Sequence, residues 1–166
     1  SIKEQGVIQP IVVRPDKENT NKYEIIAGER RWLAAQNAGL HEVPVVILNV
    51  NDVKSLEFAI IENVQRQDLN PIEEAQGYQR LIDDFNYNQD KLSKFIGKSR
   101  SYIANSLRLL SLPDDVLMMV EQSNLSAGHA RSLIGLPNAK TLAREFFEKK
   151  LSVRQAEKLV KQFRDK

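Results

Sequence analysis

The stretch 27-AGERR-31 marks a change from strand to helix and organises the first part of the chain. Residues 23–27 hold one aromatic and two β-branched side chains, a composition that predicts a short strand. Residues 32–38 are rich in Leu and Ala and are followed by Gly39, which predicts a helix that ends there. Gly28 therefore lies at a predicted strand-to-helix turn.

The two arginines of this stretch lie in the first turn of the predicted helix. The helix dipole disfavours a cation at that end, by about 0.3–1 kcal/mol each. A bound anion would remove the conflict, because free backbone N–H groups, a permissive Gly28 and the guanidinium groups of Arg30 and Arg31 all suit phosphate. The stretch therefore predicts the phosphate end of a nucleotide site. The alternative is a surface helix whose arginines are solvated.

Composition limits the classes of protein that need to be considered. The 166 residues are 42% hydrophobic and 28% charged, as in soluble globular proteins. There is no apolar run long enough to span a membrane, and we expect no signal peptide. Cysteine is absent, which excludes disulfide scaffolds and thiolate zinc sites and is compatible with a reducing cytoplasm. The sequence begins at Ser1 without Met, so we expect a fragment of a longer protein.

The pattern of elements predicts an α+β fold with two domains. Strands are predicted at residues 11–14, 23–27 and 45–48, the last with apolar residues on both faces and therefore buried. A helix at residues 53–67 is expected to be capped by Asp52. We place the domain boundary near Asn70, giving a mixed-sheet α/β domain at 1–70 and an all-α domain at 71–166. Helices are predicted at 71–85, 89–96, 99–110, 114–122, 127–134, 138–150 and 153–163, with Ser99, Ser126 and Ser152 as N-caps.

Residues 89–110 have the layout of a helix-turn-helix motif, with a Gly97 turn between two short helices. The net charge of +2 does not by itself indicate nucleic acid, but this segment carries five basic residues against one acidic residue, Asp90. In such a motif the start of the second helix reads base edges in the major groove. That start comprises Lys98, Ser99, Arg100 and Ser101. The alternative is a helix pair that only packs.

Two further stretches carry candidate side chains. Glu62 and Asn63 offer oxygen ligands suited to Mg²⁺, with Arg66 reaching phosphate; the alternative is a solvated (i, i+4) ion pair between Glu62 and Arg66. In residues 126–131, a histidine and an arginine lie near a predicted helix start. Only one other histidine is present, at no ligand spacing, so a histidine metal site is not predicted.

Taken in order, these stretches resemble the ParB family of chromosome- and plasmid-partition proteins, over residues 1–163. The matching motifs are 6-GVIQPI-11, 27-AGERR-31, 62-ENVQR-66 continuing to 69-LNP-71, 97-GKSRS-101 and 126-SAGHAR-131. The resemblance implies a DNA clamp that binds CTP with Mg²⁺ and hydrolyses it slowly. The implied nucleotide site comprises Ser1, Gly6, Gln9, Pro10, Gly28, Glu29, Arg30, Arg31, Glu62, Asn63 and Arg66. Within it, Glu62 and Asn63 would serve the metal, and Gln9 and Glu29 are the candidates for the hydrolytic step.

The resemblance also implies the partners. The centromere site parS, a double-stranded DNA, would be bound by the helix-turn-helix and residues 126–131. The implied DNA contacts are Gln89, Lys98, Ser99, Arg100, Ser101, Asn105, Arg108, Gly128, His129 and Arg131. CTP would close two N-terminal domains around the DNA. We expect a dimeric, cytoplasmic, nucleoid-associated protein without a membrane partner. Compared with the family pattern, we expect this sequence to be without the basic N-terminal tail that would engage a ParA-type ATPase and without the C-terminal dimerisation domain.

Three alternatives can be compared with this resemblance. A nucleoid-occlusion relative, Noc, has this architecture, but there Gln tends to replace Arg100 and Arg tends to replace Gly128, so this chain favours parS. ParB often has His at the position of Tyr102, which we expect to face the DNA backbone without changing specificity. A helix-turn-helix regulator without nucleotide would leave the two charged motifs as structural ion pairs. An ATP-using enzyme of the sulfiredoxin type would need a catalytic cysteine, which is absent.

Overall fold

The computed structural model describes residues 10–16, 18–19 and 21–165. The predicted nucleotide contacts Ser1, Gly6 and Gln9 lie outside these residues. The described chain forms two compact units. The first contains residues up to Asn63 together with Gln79–Asn88, and the second contains Val64–Tyr78 together with the residues from Gln89 onward.

The first unit is built on a three-stranded mixed sheet in the order β2-β1-β3. The predicted strands β1 (Ile11–Pro15) and β2 (Tyr23–Ala27) pair as an antiparallel hairpin. Strand β3 (Val45–Ile47) pairs with β1 in parallel, after the crossover helix α1 (Glu29–Asn37). Helix α2 (Val50–Val64) follows the sheet, and its Val53 packs in a small core with Val12 and Ala27.

Two details of the first unit differ from the sequence predictions. The side chains of β3 are exposed rather than buried: Val45 is 45%, Val46 38% and Ile47 52% accessible. Apolar side chains favour burial, but β3 lies at the edge of the sheet. Whether its side chains are buried depends on which other elements pack against that edge. The predicted cap Asp52 is also wrong. The N–H of Asp52 donates to Oδ1 of Asn49 (2.9 Å), so Asn49 caps α2 and Asp52 lies inside the first turn.

Helix α3 (Pro71–Phe85) is shared by the two units, since residues 71–78 group with the second unit and 79–85 with the first. Residues 79–88 belong to the predicted second domain but group with the first unit in the structure. The predicted domain boundary near Asn70 stays a prediction. Pro71 opens the helix as expected, and Oδ1 of Asn70 accepts a hydrogen bond from the N–H of Ile72 (2.8 Å).

The described remainder of the second unit is helical, as predicted. Helices α4 (Gln89–Ile96) and α5 (Arg100–Arg108) are followed by a 3₁₀ turn at Leu109–Ser111, where the sequence predicted continued α-helix. The later helices are α6 (Asp114–Glu121), α7 (Ala127–Ser132), α8 (Ala139–Glu148) and α9 (Val153–Arg164). Val116, Leu142 and Phe146 lie in their common core. Among the described residues, none of the helices has both the length and the apolar character of a membrane span.

Candidate functional site

The start of α1 is organised by Gly28, which serves as its N-cap in a left-handed conformation (φ 94°). The guanidinium of Arg31 folds back over it: one terminal nitrogen lies 2.7 Å from the point where a Cβ of residue 28 would stand. The positive φ therefore strains any larger residue at this position, and a Cβ there would also displace the end of the Arg31 side chain. The predicted strand–glycine–helix turn is confirmed, and the helix begins at Glu29, within the charged stretch.

Both arginines of this turn are paired with consecutive aspartates in the last turn of α3. Arg30 contacts Oδ1 of Asp83 (2.5 Å), and Arg31 contacts Oδ1 of Asp84 (2.9 Å). Nε of Arg80 lies 3.6 Å from Oδ2 of Asp84, so two guanidinium groups share this one carboxylate. The anion that the sequence required at the start of α1 is supplied, in this structure, by the chain itself.

The pairing resolves two conflicts with helix dipoles at once. Arg30 and Arg31 lie at the positive end of α1, and Asp83 and Asp84 lie at the negative end of α3, which has no basic residue in its last turn. Each charge is unfavourable beside its own helix end and favourable beside the other. An acidic pair at a helix C-terminus was therefore the sequence signal that could have identified Asp83 and Asp84 as partners.

The two ion pairs differ in their exposure to solvent. The side chains of Arg30 and Asp83 are 73% and 30% accessible, whereas those of Arg31 and Asp84 are 19% and 3%. Burial raises the pKa of Asp84, and the charges of Arg31 and Arg80 oppose that rise. Removing a partner from Asp84 would leave a buried carboxylate poorly compensated, which is costly, while the pair of Arg30 is readily hydrated.

Three of the other predicted nucleotide residues lie at helix ends. Glu29 is exposed in the first turn of α1, and Glu62 and Asn63 are exposed in the last turn of α2. Helix α2 ends at Val64, so Arg66 lies beyond the helix that the alternative of an (i, i+4) pair with Glu62 requires. Arg66 instead pairs with Asp68 (3.2 Å) in the second unit. It lines a polar groove of about 680 Å³ whose wall includes Lys98, Tyr102 and Glu74.

The oxygens of Glu62 and Asn63 suit Mg²⁺, which commonly takes one or two protein ligands and completes its shell with phosphate and water. Their exposure leaves those remaining positions open. Among the described residues, there is no cluster of three or more His, Cys, Asp or Glu side chains that could hold a metal without such help. The donor set therefore fits a magnesium ion brought with a nucleotide better than a metal held by protein alone.

The helix-turn-helix is formed by α4 and α5, joined by a turn in which Gly97 has φ 79°. Ser99 is the N-cap of α5, and its Oγ accepts from the N–H of Tyr102 (3.0 Å). Nε of Arg100 lies 3.0 Å from Oδ1 of Asp90, and both side chains are mostly exposed. Ile103 is fully buried on the opposite face. The predicted DNA-contact residues Gln89, Lys98, Ser99, Arg100, Ser101 and Arg108 are exposed, and Asn105 is half-buried.

The segment at the start of α7 is held by a capping box. Oγ of Ser126 accepts from the N–H of His129, and Nδ1 of His129 accepts from the N–H of Ser126 (both 3.2 Å). Nε2 of the same ring lies 2.8 Å from the carbonyl oxygen of Leu151. Both ring nitrogens of His129 are thus engaged within the chain, which leaves its predicted role with DNA without a free ring donor. Arg131 is exposed, and Gly128 lies close to Val153.

The comparisons with known proteins follow this two-part organisation. Residues 1–64 match the ParB N-terminal domain and residues 67–165 match the ParB HTH domain. The chain is 55% identical to the chromosome-partitioning protein ParB of Myxococcus xanthus over 167 residues, which covers 99% of this chain and 55% of that protein. It is 48% identical to ParB of Caulobacter vibrioides, covering 97% of this chain and 53% of that protein.

A solved structure is similar over nearly the whole chain. It is the C-terminally truncated ParB of Caulobacter crescentus complexed to the centromeric parS site, with a TM-score of 0.62, 48% identity and coverage of 96% of this chain and 84% of that one. A ParB DNA-binding domain complexed to parS gives a TM-score of 0.60 at 45% identity, covering 65% and 77% of the two chains. The chain spans about half the length of the two relatives named above. Two consecutive family domains and these identities show that this chain belongs to the ParB family.

Proposed function

We propose that this chain is the part of a chromosome-partition protein that binds parS centromere DNA, through α4, α5 and the start of α7. The observation that carries the proposal is the capped start of α5, where Lys98 and Arg100 are exposed beside a buried packing face. Arg100 pairs with the exposed Asp90 and can exchange that carboxylate for a base edge or phosphate. The two similar structures complexed to parS support this assignment.

The DNA-binding proposal is tested by titrating the chain against a parS duplex and a scrambled duplex of the same length at several salt concentrations. We expect tighter binding to parS, and binding to both duplexes that weakens as salt rises. Equal affinity for the two duplexes would contradict a parS function and would favour the alternative of a Noc-like protein with a different site. Arg100 and Gly128, which the resemblance associates with parS, argue against that alternative.

The first unit, in this proposal, binds CTP with Mg²⁺. The triphosphate would lie at the start of α1, where Gly28, Arg30 and Arg31 present backbone donors and guanidinium groups. Asp83 is the carboxylate that phosphate oxygens can replace most easily, because its pair with Arg30 is exposed. Glu62 and Asn63 would serve the metal, which supplies charge neutralisation to the phosphates when bound. CTP, rather than another nucleotide, rests on the family resemblance.

Slow hydrolysis and closure of two such units around DNA complete the proposal. Gln9 and Glu29 are the candidates for the hydrolytic step; because neither supplies positive charge to the phosphates, their loss should spare CTP binding. The clamp would act in the cytoplasm on the nucleoid, with a ParA-type ATPase as partner of the whole protein. Glu29→Ala and Gln9→Ala should retain CTP but release phosphate more slowly than the parent under parS stimulation. Parent rates in both variants would remove these two residues from catalysis.

A second candidate is a helix-turn-helix regulator that binds no nucleotide. One observation favours it: both arginines of the turn already have carboxylate partners in the same unit. Calorimetry with each of the four nucleoside triphosphates and Mg²⁺ separates the two candidates. Binding of CTP with much weaker binding of the other three is expected for the ParB function. No heat with any of them would leave the DNA-binding proposal standing and would support the regulator.

A further inference from the structure

The carboxylate of Glu74, in the first turn of α3, accepts hydrogen bonds from two tyrosines of the second unit. Tyr78, one turn further along α3, donates its hydroxyl to Oε1 at 2.6 Å. Tyr102, in the first turn of α5, donates its hydroxyl to the same oxygen at 2.8 Å and lies 3.2 Å from Oε2. Glu74 therefore joins two helices, and one of them is the recognition helix.

Both phenols remain donors across the physiological pH range. Burial, and then the hydrogen bond to Glu74, raise the pKa of Tyr102 to about 12, although the positive charge of Arg131 acts in the opposite direction. The same two causes raise the pKa of Tyr78. A protonated phenol beside a carboxylate is a strong, charge-assisted hydrogen bond. The hydroxyl of Tyr102 therefore keeps the proton that it donates to Glu74 at physiological pH.

Tyr102 in turn touches the side chains that the proposed function assigns to DNA. Its N–H donates to the cap residue Ser99 (3.0 Å), and Nζ of Lys98 lies 5.0 Å from the centroid of its ring. Its side chain is partly accessible, at 40% for the residue. A cation at this distance from a ring face is attracted to it. Glu74 thus contacts Tyr102, and the ring of Tyr102 contacts Lys98.

We propose that Glu74 is a positioning residue for sequence reading: it holds Tyr102, and through it Lys98, in one arrangement at the start of α5. This rests on the proposed DNA-binding function and adds a residue that itself offers nothing to DNA, since a carboxylate repels phosphate. Side chains that are ordered before binding lose less conformational freedom on binding. A fixed start of α5 favours the one register in which base edges match, and so it affects parS more than unspecific DNA.

The chain contains a matched control, because two hydroxyls donate to the same carboxylate. Tyr102→Phe and Tyr78→Phe each delete one of them and keep the ring, but only Tyr102 lies on the recognition helix. Affinity for parS and for a scrambled duplex is measured in the whole chain at several salt concentrations, together with thermal unfolding. Tyr78 is fully buried and Tyr102 is not, so the Tyr78 variant should lose more thermal stability.

Tyr102→Phe should weaken parS binding by about tenfold, as expected for one charge-assisted bond, with a much smaller effect on scrambled DNA and an unchanged salt dependence. Tyr78→Phe should leave both affinities unchanged. Glu74→Gln, which keeps an acceptor oxygen, should retain more parS preference than Glu74→Ala. Equal losses on both duplexes with a shallower salt dependence would make the Tyr102 hydroxyl a phosphate contact and overturn the positioning role.

The outcomes also separate this inference from the proposed function. If the parent chain prefers parS and Tyr102→Phe keeps that preference in full, the role of Glu74 is refuted and the DNA-binding function stands. If both phenylalanine variants lose parS preference in proportion to lost stability, the cluster acts only in folding and the inference is again refuted. A parent chain without any parS preference would overturn the proposed function and this role with it.

Discussion

The starts of α1 and α5 both carry arginines in the first turn, and the two are stabilised in opposite ways. At α1 the N-cap is Gly28, which has no side chain to cap the helix. Arg31 is paired with the nearly inaccessible Asp84, 53 residues away. At α5 the cap is the hydroxyl of Ser99, and Arg100 pairs with the exposed Asp90 of the preceding helix. A cation that must leave its partner for a ligand needs an exposed pair, whereas a cation that keeps a ligand site in shape needs a buried one.

Arginines that occupy similar positions in the sequence therefore differ in how easily they can leave their carboxylate partners. Arg100 and Arg30 are the exchangeable arginines, because water can solvate both partners while the ligand arrives. Arg31 is the fixed arginine, because its departure would leave the buried carboxylate of Asp84 without enough positive charge to balance it. If both units bind phosphate, the first unit does so with the fixed Arg31 and the exchangeable Arg30. The second unit does so with the exchangeable Arg100.

The largest effect is expected for Arg31→Ala, which leaves Asp84 with Arg80 alone. Breaking a buried pair from one side should cost about 3 kcal/mol of unfolding free energy, against less than about 1 kcal/mol for Arg30→Ala. Urea unfolding of both variants measures this difference. Arg31→Ala should also lose CTP binding under conditions where it remains folded. Equal stability of the two variants would remove the distinction between the fixed and the exchangeable arginine.

The next effect is on DNA. Arg100→Ala should cost about 1–3 kcal/mol on parS and reduce discrimination against a scrambled duplex. Lys94→Ala, on the helix expected to cross the backbone, should weaken both duplexes alike and lower the salt slope by about one counterion. Salt titrations on the two duplexes give both quantities. If Arg100→Ala weakens both duplexes equally, Arg100 is a phosphate contact, and base reading must be sought at Arg131.

A smaller effect is expected from making the two helix starts alike. Ser99→Gly gives α5 the kind of cap that α1 has and should cost only a few tenths of a kcal/mol, whereas Ser99→Ala should cost about 1 kcal/mol. Thermal or urea unfolding of the two variants resolves the difference. A loss from Ser99→Gly as large as that from Ser99→Ala would show that the hydroxyl, rather than the backbone conformation, carries the whole effect.

The smallest effect is a pH dependence whose sign distinguishes burial from pairing. The pKa of Asp84 is raised in the folded chain, so the fold binds its proton more readily than the unfolded chain does. The contribution of Asp84 to stability is therefore greatest below its unfolded pKa and is lost as pH rises through the folded value. The parent should gain stability relative to Asp84→Asn as pH is lowered from 7 towards about 4, measured by urea unfolding.

Asp115 provides a control of opposite sign. Its hydrogen bond and ion pair with Lys140 (2.8 Å) lower its pKa, so its contribution is present above the unfolded pKa and is lost as pH falls through the folded value. The parent should therefore lose stability relative to Asp115→Asn as pH falls below about 4, where the unfolded chain binds the proton more readily than the folded chain does. A loss relative to Asp84→Asn as well would show that the two guanidinium groups outweigh burial at Asp84.

Much of the fold could be predicted because its signals are local. The strand–glycine–helix turn at Gly28, the N-caps Ser99, Ser126 and Ser152, and the opening of α3 at Pro71 all depend on residues within one helical turn of each other. The sequence predictions were wrong where two local signals compete and where apolar composition alone suggested burial. Asn49 and Asp52 are both good caps, and the chain uses Asn49. The apolar strand β3 is an exposed edge.

The sequence by itself determined which elements form, that two arginines at the start of α1 need an anion, and that a capped basic helix follows Gly97. Only the tertiary structure decided that Asp83 and Asp84 supply that anion, and that Glu74 holds Tyr102 across 28 residues. The physical reason is that caps and dipoles act over a single turn, so spacing along the chain contains them. Which distant carboxylate meets which cation depends on how helix faces pack, and local spacing carries no information about that.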